Sequence, residues 1–472
     1  MKKRLLTLLG ILIFFLSIVG IGKIMKANYD GNQSMEGFYA LDKNTVDVMC
    51  YGSSHVYAGI SPVVLWEEYG ISSYDLAGTY QPLWNTYYNM KETLKYQKPE
   101  VMIVDLYGIT SQNEYSETTN FIKNVSSMRM SWNKIQNICA SVPPEKFLTY
   151  FFEYPLIHDS YTEISQGNYE EEVNNIGGDC FKGFRPSFEV TRFDQLEDIK
   201  KVKEKTDPGE KNREYLQKME ELAEENGIEL VFLVVPYAGI NAEHQAWYNW
   251  VKDWAEERKI AFLDGNCMLE DMQFDINTGF AEESHLNYTG AECFTHYLGE
   301  YLAEHYSLKD RRKEGGYQSW QKYSDCWERY IWGRSISEIG DLKEYVDMIS
   351  TGTDYILAIS MDGEYESLGQ DLEQLKKLGL TSEDLKRGGC YAIKNNRVLY
   401  QSPDEEEYLW YMEMGSYDLA VRREYGQRPQ IVVNRAVENA IENGINIYVY
   451  DCILDRSVDS VGFSVRLNEA IR

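Results

Sequence analysis

Four short apolar runs, at residues 46–51, 101–106, 228–235 and 260–263, punctuate the first part of the chain. Each has the length of a strand and carries apolar residues at both parities, so both faces must be covered. Helix-forming stretches lie at 62–69, 81–95, 214–226, 242–258 and 288–306. Gly227 follows one of them, where a helix end favours the left-handed conformation. Apolar strands alternating with amphipathic helices predict a three-layer α/β/α sandwich around a mainly parallel sheet. Residues 111–188 break the alternation and read as an insertion. The predicted domain is therefore 28–306.

After it the composition changes. Residues 307–333 carry a charged run, Gly315-Gly316, and then Trp320, Trp327 and Trp332, and read as a connection. A second, smaller α/β domain is expected over 334–472. Helices are predicted at 337–350, 369–378 and 430–443, with strands at 355–360, 445–450 and 460–465. A hairpin over 391–393 and 398–400 is expected to turn on Asn395 and Asn396.

The N-terminus carries a membrane signal. Lys2, Lys3 and Arg4 precede an uncharged, mostly apolar run at 5–22, closed by Lys23 and Lys26. Such a run rises about 27 Å as a helix, nearly a bilayer core. The basic flank predicts a cytoplasmic N-terminus and a single-pass membrane protein whose globular part is extracellular. No small-x-small cleavage site follows, which favours an uncleaved anchor over a removed signal peptide.

Net charge is −28 over 472 residues. Such a field repels phosphate backbones and excludes nucleic acid as a partner by charge. Aromatic residues are 14% of the chain, including 37 Tyr, a surplus that suits packing and also the flat faces of sugars. The eight cysteines form no CxxC pair, so nothing points to a bound metal, and no cofactor motif is present.

Three segments carry chemistry. Tyr51-Gly52-Ser53-Ser54-His55 ends the first strand, and the crevice beyond strand carboxyl ends is where ligands bind in parallel sheets. Ser54 would sit at a turn into a helix, with amide N–H groups facing a developing oxyanion. A common Gly-Ser-Ser turn reads the same way. Glu282-Glu283-Ser284-His285-Leu286-Asn287 lies before the closing helix. His285 is the natural base for Ser54, with Glu282 or Glu283 holding its second nitrogen. An acid-rich surface loop is the local alternative. Tyr74-Asp75-Leu76-Ala77-Gly78 follows the first strand, and Gly78 is a candidate oxyanion donor or a plain helix-entry glycine. His55 reads as a pocket residue or a turn histidine. His158 reads as an acceptor-site residue or a surface histidine. The strand over 101–106 ends in Asp105-Leu106-Tyr107-Gly108.

The pairing of Gly52-Ser53-Ser54 with His285-Leu286-Asn287-x-x-Gly290 resembles the SGNH/GDSL hydrolase superfamily. It is most similar to the exported branch that includes the D-alanyl-lipoteichoic acid biosynthesis protein and, more distantly, alginate O-acetylation proteins. The resemblance covers about 44–306. It implies Ser54 as nucleophile and oxyanion donor, His285 as base, Glu282 in the place usually held by Asp, and Gly78 as a second oxyanion donor. Glu283 is the fallback acid, and His55, Asn287, Asp105 and His158 are substrate-side candidates. It also implies a cell-surface glycan or acylated polymer as substrate and a membrane-bound O-acyltransferase as partner. The second domain resembles the interleukin-like inducer domain through Asp354-Tyr355-Ile356-Leu357-Ala358-Ile359-Ser360-Met361-Asp362, Leu375-Lys376-Lys377-Leu378-Gly379 and Asp459-Ser460-Val461-Gly462-Phe463. That resemblance implies a carbohydrate- or partner-binding module.

The expected activity is thus serine-dependent O-acyl transfer or deacylation on an extracytoplasmic glycan, through an acyl-serine. The alternative is a non-catalytic glycan-binding or scaffold protein on the same fold. A peptidase or lipase of the α/β-hydrolase kind is disfavoured, because no Gly-x-Ser-x-Gly elbow surrounds Ser54.

Overall fold

A computed structural model describes residues 33–111, 113–153, 181–464 and 470–472, with the single positions 10 and 156. The chain divides into two units, Met1–Ser324 and Asp325–Arg472.

In the first unit the apolar runs form strands β1 (Val48–Gly52), β3 (Val101–Asp105), β4 (Glu229–Val234) and β5 (Ala261–Asp264). A further strand, β2 (Ser73–Ala77), was not expected from the sequence. The five run parallel in the order β2-β1-β3-β4-β5. This doubly wound order reverses direction between β1 and β3, the switch point where ligands bind.

Helices complete the layers: α1 (Gln33–Ala40), α2 (Ser54–Gly59), α3 (Pro62–Tyr69), α4 (Leu83–Thr93), α5 (Thr118–Val125), α6 (Trp132–Ser141), α7 (Phe147–Phe152), α8 (Glu210–Asn226), α9 (Ala242–Arg258) and α10 (Tyr288–His305). Successive strand residues feed opposite faces, as strand geometry requires. Met49, Tyr51, Met102, Val104, Phe232 and Val234 pack with Trp84, Leu216, Met219, Trp247 and Val251 of α4, α8 and α9. Val48, Cys50, Ile103, Val231 and Leu233 pack with Val56, Leu65, Phe294 and Leu298 of α2, α3 and α10. The insertion holds α5 to α7 and its own small core of Phe121, Ile122, Val125, Ile138 and Tyr150. It is tied to α4 by Asn85 Nδ2, which donates to Asn137 Oδ1 at 2.6 Å and Ser141 Oγ at 2.8 Å.

Three expectations are corrected in the remaining chain. The stretch 307–333 is not a plain connection, since helix α11 (Gln318–Ser337) occupies much of it. The second unit is α+β, because every pairing in its two sheets is antiparallel. It contains α12 (Leu342–Thr351), α13 (Ser382–Arg387) and strands β6 (Tyr355–Asp362), β7 (Gly389–Lys394), β8 (Arg397–Gln401), β9 (Tyr408–Met414), β10 (Tyr417–Arg423), β11 (Gln430–Val433), β12 (Ala436–Val437), β13 (Gly444–Asp451) and β14 (Arg456–Phe463). The β7–β8 hairpin turns on Asn395 and Asn396, with φ of 50° and 57°. The helix expected over 430–443 is instead the β11–β12 hairpin.

The expected membrane anchor is also corrected. Among the described residues no helix is long and apolar enough to cross a membrane. The run at 5–22 lies outside the described residues, apart from Gly10. The seven described cysteines, Cys180 not being among them, are free thiols.

Candidate active site

β1 delivers its last residue to the carboxyl edge of the sheet, and the chain turns at once into α2. Gly52 makes the turn possible by close approach. A Cβ there would lie 2.8 Å from both Asp105 Cβ and Val56 Cγ2. Ser53 is the N-cap of α2 and its Oγ accepts from the His55 N–H at 3.3 Å. Ser54 is the first residue of the helix, so its own N–H has no intrahelical partner. It is 6% exposed.

The histidine comes from a tight loop. Phe280 and Leu286 form an antiparallel bridge, and Ala281 N–H donates to the His285 carbonyl at 3.0 Å. Within that loop Glu282 Oε2 accepts from the Ser284 N–H at 2.6 Å, which aims its other oxygen at His285. Glu282 Oε1 is hydrogen-bonded to His285 Nδ1, and His285 Nε2 lies 2.7 Å from Ser54 Oγ. With Nδ1 protonated toward Glu282, Nε2 is left as the acceptor for the Ser54 hydroxyl. Three residues separated by up to 231 positions thus form one hydrogen-bonded series.

The other sequence candidates have different places. Glu283 is exposed, and it is its backbone carbonyl that is engaged, accepting from the Gly239 N–H at 2.7 Å. Gly78 is corrected as an oxyanion donor, because its N–H donates to the Gly52 carbonyl at 3.1 Å. Asn287 is corrected as a substrate group, because its side chain is committed to the fold. Its Oδ1 caps α10 by accepting from the Gly290 N–H at 3.0 Å. Its Nδ2 donates to Thr278 O at 2.7 Å and Glu189 O at 3.1 Å. Gly290 is required beside it, since a Cβ there would meet the Gly279 carbonyl oxygen at 2.0 Å. Replacing Asn287 by Ala should remove the cap and take a donor from the Thr278 and Glu189 carbonyls. A loss of about 2–3 kcal/mol is expected, read as a lower melting temperature of the full chain. An unchanged melting temperature would contradict the structural role.

Asp105 is fully buried under the site and is not a second acid for His285. Its Oδ1 accepts from the Val235 N–H and its Oδ2 from the Tyr107 N–H, each at 3.2 Å. Ser53 Oγ donates to Oδ2 at 3.5 Å. Asp105 therefore braces the turns after β1, β3 and β4 together. Burial pushes its carboxyl up to about 7, against the pull of these donors. His158 lies outside the described residues.

His55 lies inside a nest of rings. It stacks on Tyr107 at 3.7 Å and meets Tyr237 edge-on at 4.9 Å and His285 at 5.5 Å. Burial, then the neighbouring His285 and His244, hold its pKa well below the usual histidine range. A neutral ring beside His285 leaves the positive charge of turnover to His285 alone. Tyr237 Oη is bonded to His244 Nδ1 at 2.8 Å and to Tyr248 Oη at 3.1 Å. Sequence reasoning missed Tyr107, Tyr237 and His244. Tyr107 and Tyr237 lie two and three residues past the ends of β3 and β4, in the crevice where parallel sheets bind ligands, and that position is their signal in the sequence.

No protein-family model matches the chain, and no curated protein is significantly similar to it. Among the described residues there is no cluster of His, Cys, Asp and Glu that could hold a metal ion.

Proposed function

We propose that the chain is a serine-dependent O-acylesterase or O-acyltransferase of the SGNH kind, acting on an esterified glycan through an acyl-serine. The observation that carries this is the series from Ser54 through His285 to Glu282 at the carboxyl edge of a parallel sheet. His285 Nε2 takes the Ser54 proton as Oγ attacks the acyl carbonyl. The Ser54 N–H donates to the oxyanion. Collapse breaks the ester bond, and His285 returns the proton to the leaving sugar oxygen. Water or a second sugar hydroxyl then attacks acyl-Ser54, giving its proton to His285, which hands it back to the serine. Glu282 stabilises the imidazolium at each stage.

One observation favours the alternative, a glycan-binding scaffold. The Gly78 N–H is spent on the Gly52 carbonyl, so the Ser54 N–H loses the second donor expected beside it.

The acid assignment has its own test. Glu282→Ala should lower turnover of nitrophenyl acetate by about 10⁴-fold, the size of loss when a triad loses its acid alone. Glu283→Ala should stay within about twofold, since an exposed side chain off the series carries little. The reverse pattern would make Glu283 the acid.

A further inference from the structure

We infer that Tyr80 is the sugar platform of this site, its ring stacking on the pyranose that carries or receives the acyl group. The inference rests on the ester chemistry proposed for Ser54, and it adds the residue that selects a carbohydrate.

Tyr80 stands out by its exposure and its backbone. Its side chain is 61% exposed, among the large exposed aromatics of the chain. Its φ of 45° is in the left-handed region, which costs a bulky L-residue of order 1–3 kcal/mol. The residues around it are pinned. The Gly78 N–H holds the Gly52 carbonyl at 3.1 Å, and Asn124 Nδ2 donates to Thr79 O at 3.0 Å. Gln81 is buried, donating from Nε2 to Thr86 Oγ1 at 2.9 Å and accepting at Oε1 from Asn89 Nδ2 at 3.1 Å. Clamped on both sides, the chain holds an aromatic ring out to solvent in a strained conformation. Among the described residues that ring makes no side-chain hydrogen bond and no ring contact of its own.

Its position gives the strain a use. The loop after β2 starts at Gly78, on the carbonyl of Gly52, two residues before Ser54. It abuts the turn of Tyr107, where a Cβ on Gly108 would lie 2.7 Å from the Gln81 carbonyl oxygen. Tyr107 in turn stacks on His55 beside His285. Burial first, then the Tyr80 phenol, Asp105 and Glu282, hold Tyr107 above its usual pKa. A flat, wet, amphipathic ring offers a pyranose an apolar face and a hydroxyl. The net charge of −28 argues for a neutral acylated sugar and against an anionic polymer.

The test uses the purified full chain with acetylated xylo-oligosaccharides and with nitrophenyl acetate, which has no sugar. Tyr80→Ala should raise KM for the oligosaccharide about tenfold, the upper worth of one aromatic stacking contact. It should leave nitrophenyl acetate turnover within about twofold, and Tyr80→Phe should match the wild type. Tyr80→Gly should show the same KM loss yet melt no lower than the wild type, because glycine relieves the left-handed strain. A KM unmoved by Tyr80→Ala, or equal losses on both substrates, would overturn the assignment. Binding separates it from the ester chemistry. On a Ser54→Ala background, calorimetry should show the oligosaccharide bound and weakened about tenfold by Tyr80→Ala. Binding with that loss but no turnover by the wild type would sink the ester chemistry and keep the platform. No binding to Ser54→Ala, or binding that ignores Tyr80, would sink the platform.

Discussion

Replacing Ser54 or His285 by alanine should each lower acyl turnover by about 10⁴-fold or more, and the double variant should be little worse than either. The reason is that the two act as one unit. A serine hydroxyl at its ordinary pKa is a poor nucleophile and needs a base in hydrogen-bond reach. His285 Nε2, 2.7 Å from Ser54 Oγ, is that base. Without it the hydroxyl keeps its proton. Without the hydroxyl the imidazole has nothing to activate. Residual rate would come from the Ser54 N–H and from substrate binding. Neither substitution should cost much stability, because Ser54 lies at a helix start and the His285 side chain is 29% exposed. Steady-state kinetics on nitrophenyl acetate, with melting curves on the same samples, reads both expectations. Multiplicative losses in the double variant would mean that the two residues act independently.

The second large effect concerns Asp105→Asn. At pH 5 the variant should be less stable than the wild type by about 1–3 kcal/mol, because an amide NH₂ must face one of the donors that Asp105 now accepts. The gap should close as pH rises. The folded pKa of about 7 is raised above the unfolded value near 4, so the stability tied to the protonated carboxyl is full below about pH 4. It is lost progressively as pH climbs to about 7, and Asn, which does not titrate, loses none. Melting temperatures of both proteins from pH 5 to pH 8 test this. A gap that stays constant would mean that Asp105 is ionised throughout. The variant should also lose activity at pH 8, where the stability gap has narrowed, because Asp105 braces the turns that carry Ser53 and Tyr107. Full activity there would show that those turns hold without it.

Much of the first unit was legible because its strands are apolar at both parities. β1, β3, β4 and β5 announce themselves in that way. β2 does not. Its sequence is Ser73-Tyr74-Asp75-Leu76-Ala77, yet all five residues are buried. Asp75 lies opposite Cys50 in the β1–β2 register, and burial drives its carboxyl well above the usual range. A buried acid inside a strand defeats a reading based on apolar runs. In the second unit, β9 alternates between half-buried and exposed residues, with Leu409 and Tyr411 in solvent. Tyr408-Leu409-Trp410-Tyr411-Met412 is apolar throughout, so the sequence does not show that only one face of this strand is covered. The stretch 430–443 failed for another reason. Asn434 and Arg435 adopt φ of 46° and 72° and reverse the chain between β11 and β12, where a helix had been expected.

The Ser54, His285 and Glu282 grouping could be read from local motifs because each sits at a loop beyond a strand or before a helix. The ring nest was not readable. His55 meets Tyr107 and Tyr237 only because β1, β3 and β4 end side by side. Nor could the loss of Gly78 as an oxyanion donor be foreseen, because it depends on one backbone hydrogen bond to Gly52.

The central claim is that Ser54 is a nucleophile activated by His285. It is tested most directly by a fluorophosphonate probe, which forms a stable adduct with an activated serine. After labelling of the full chain and proteolysis, the account predicts one modified peptide, with the adduct on Ser54. It predicts no labelling above background in Ser54→Ala and a strong loss in His285→Ala. Equal labelling of the wild type and Ser54→Ala, or a wild type that stays unlabelled, would contradict it.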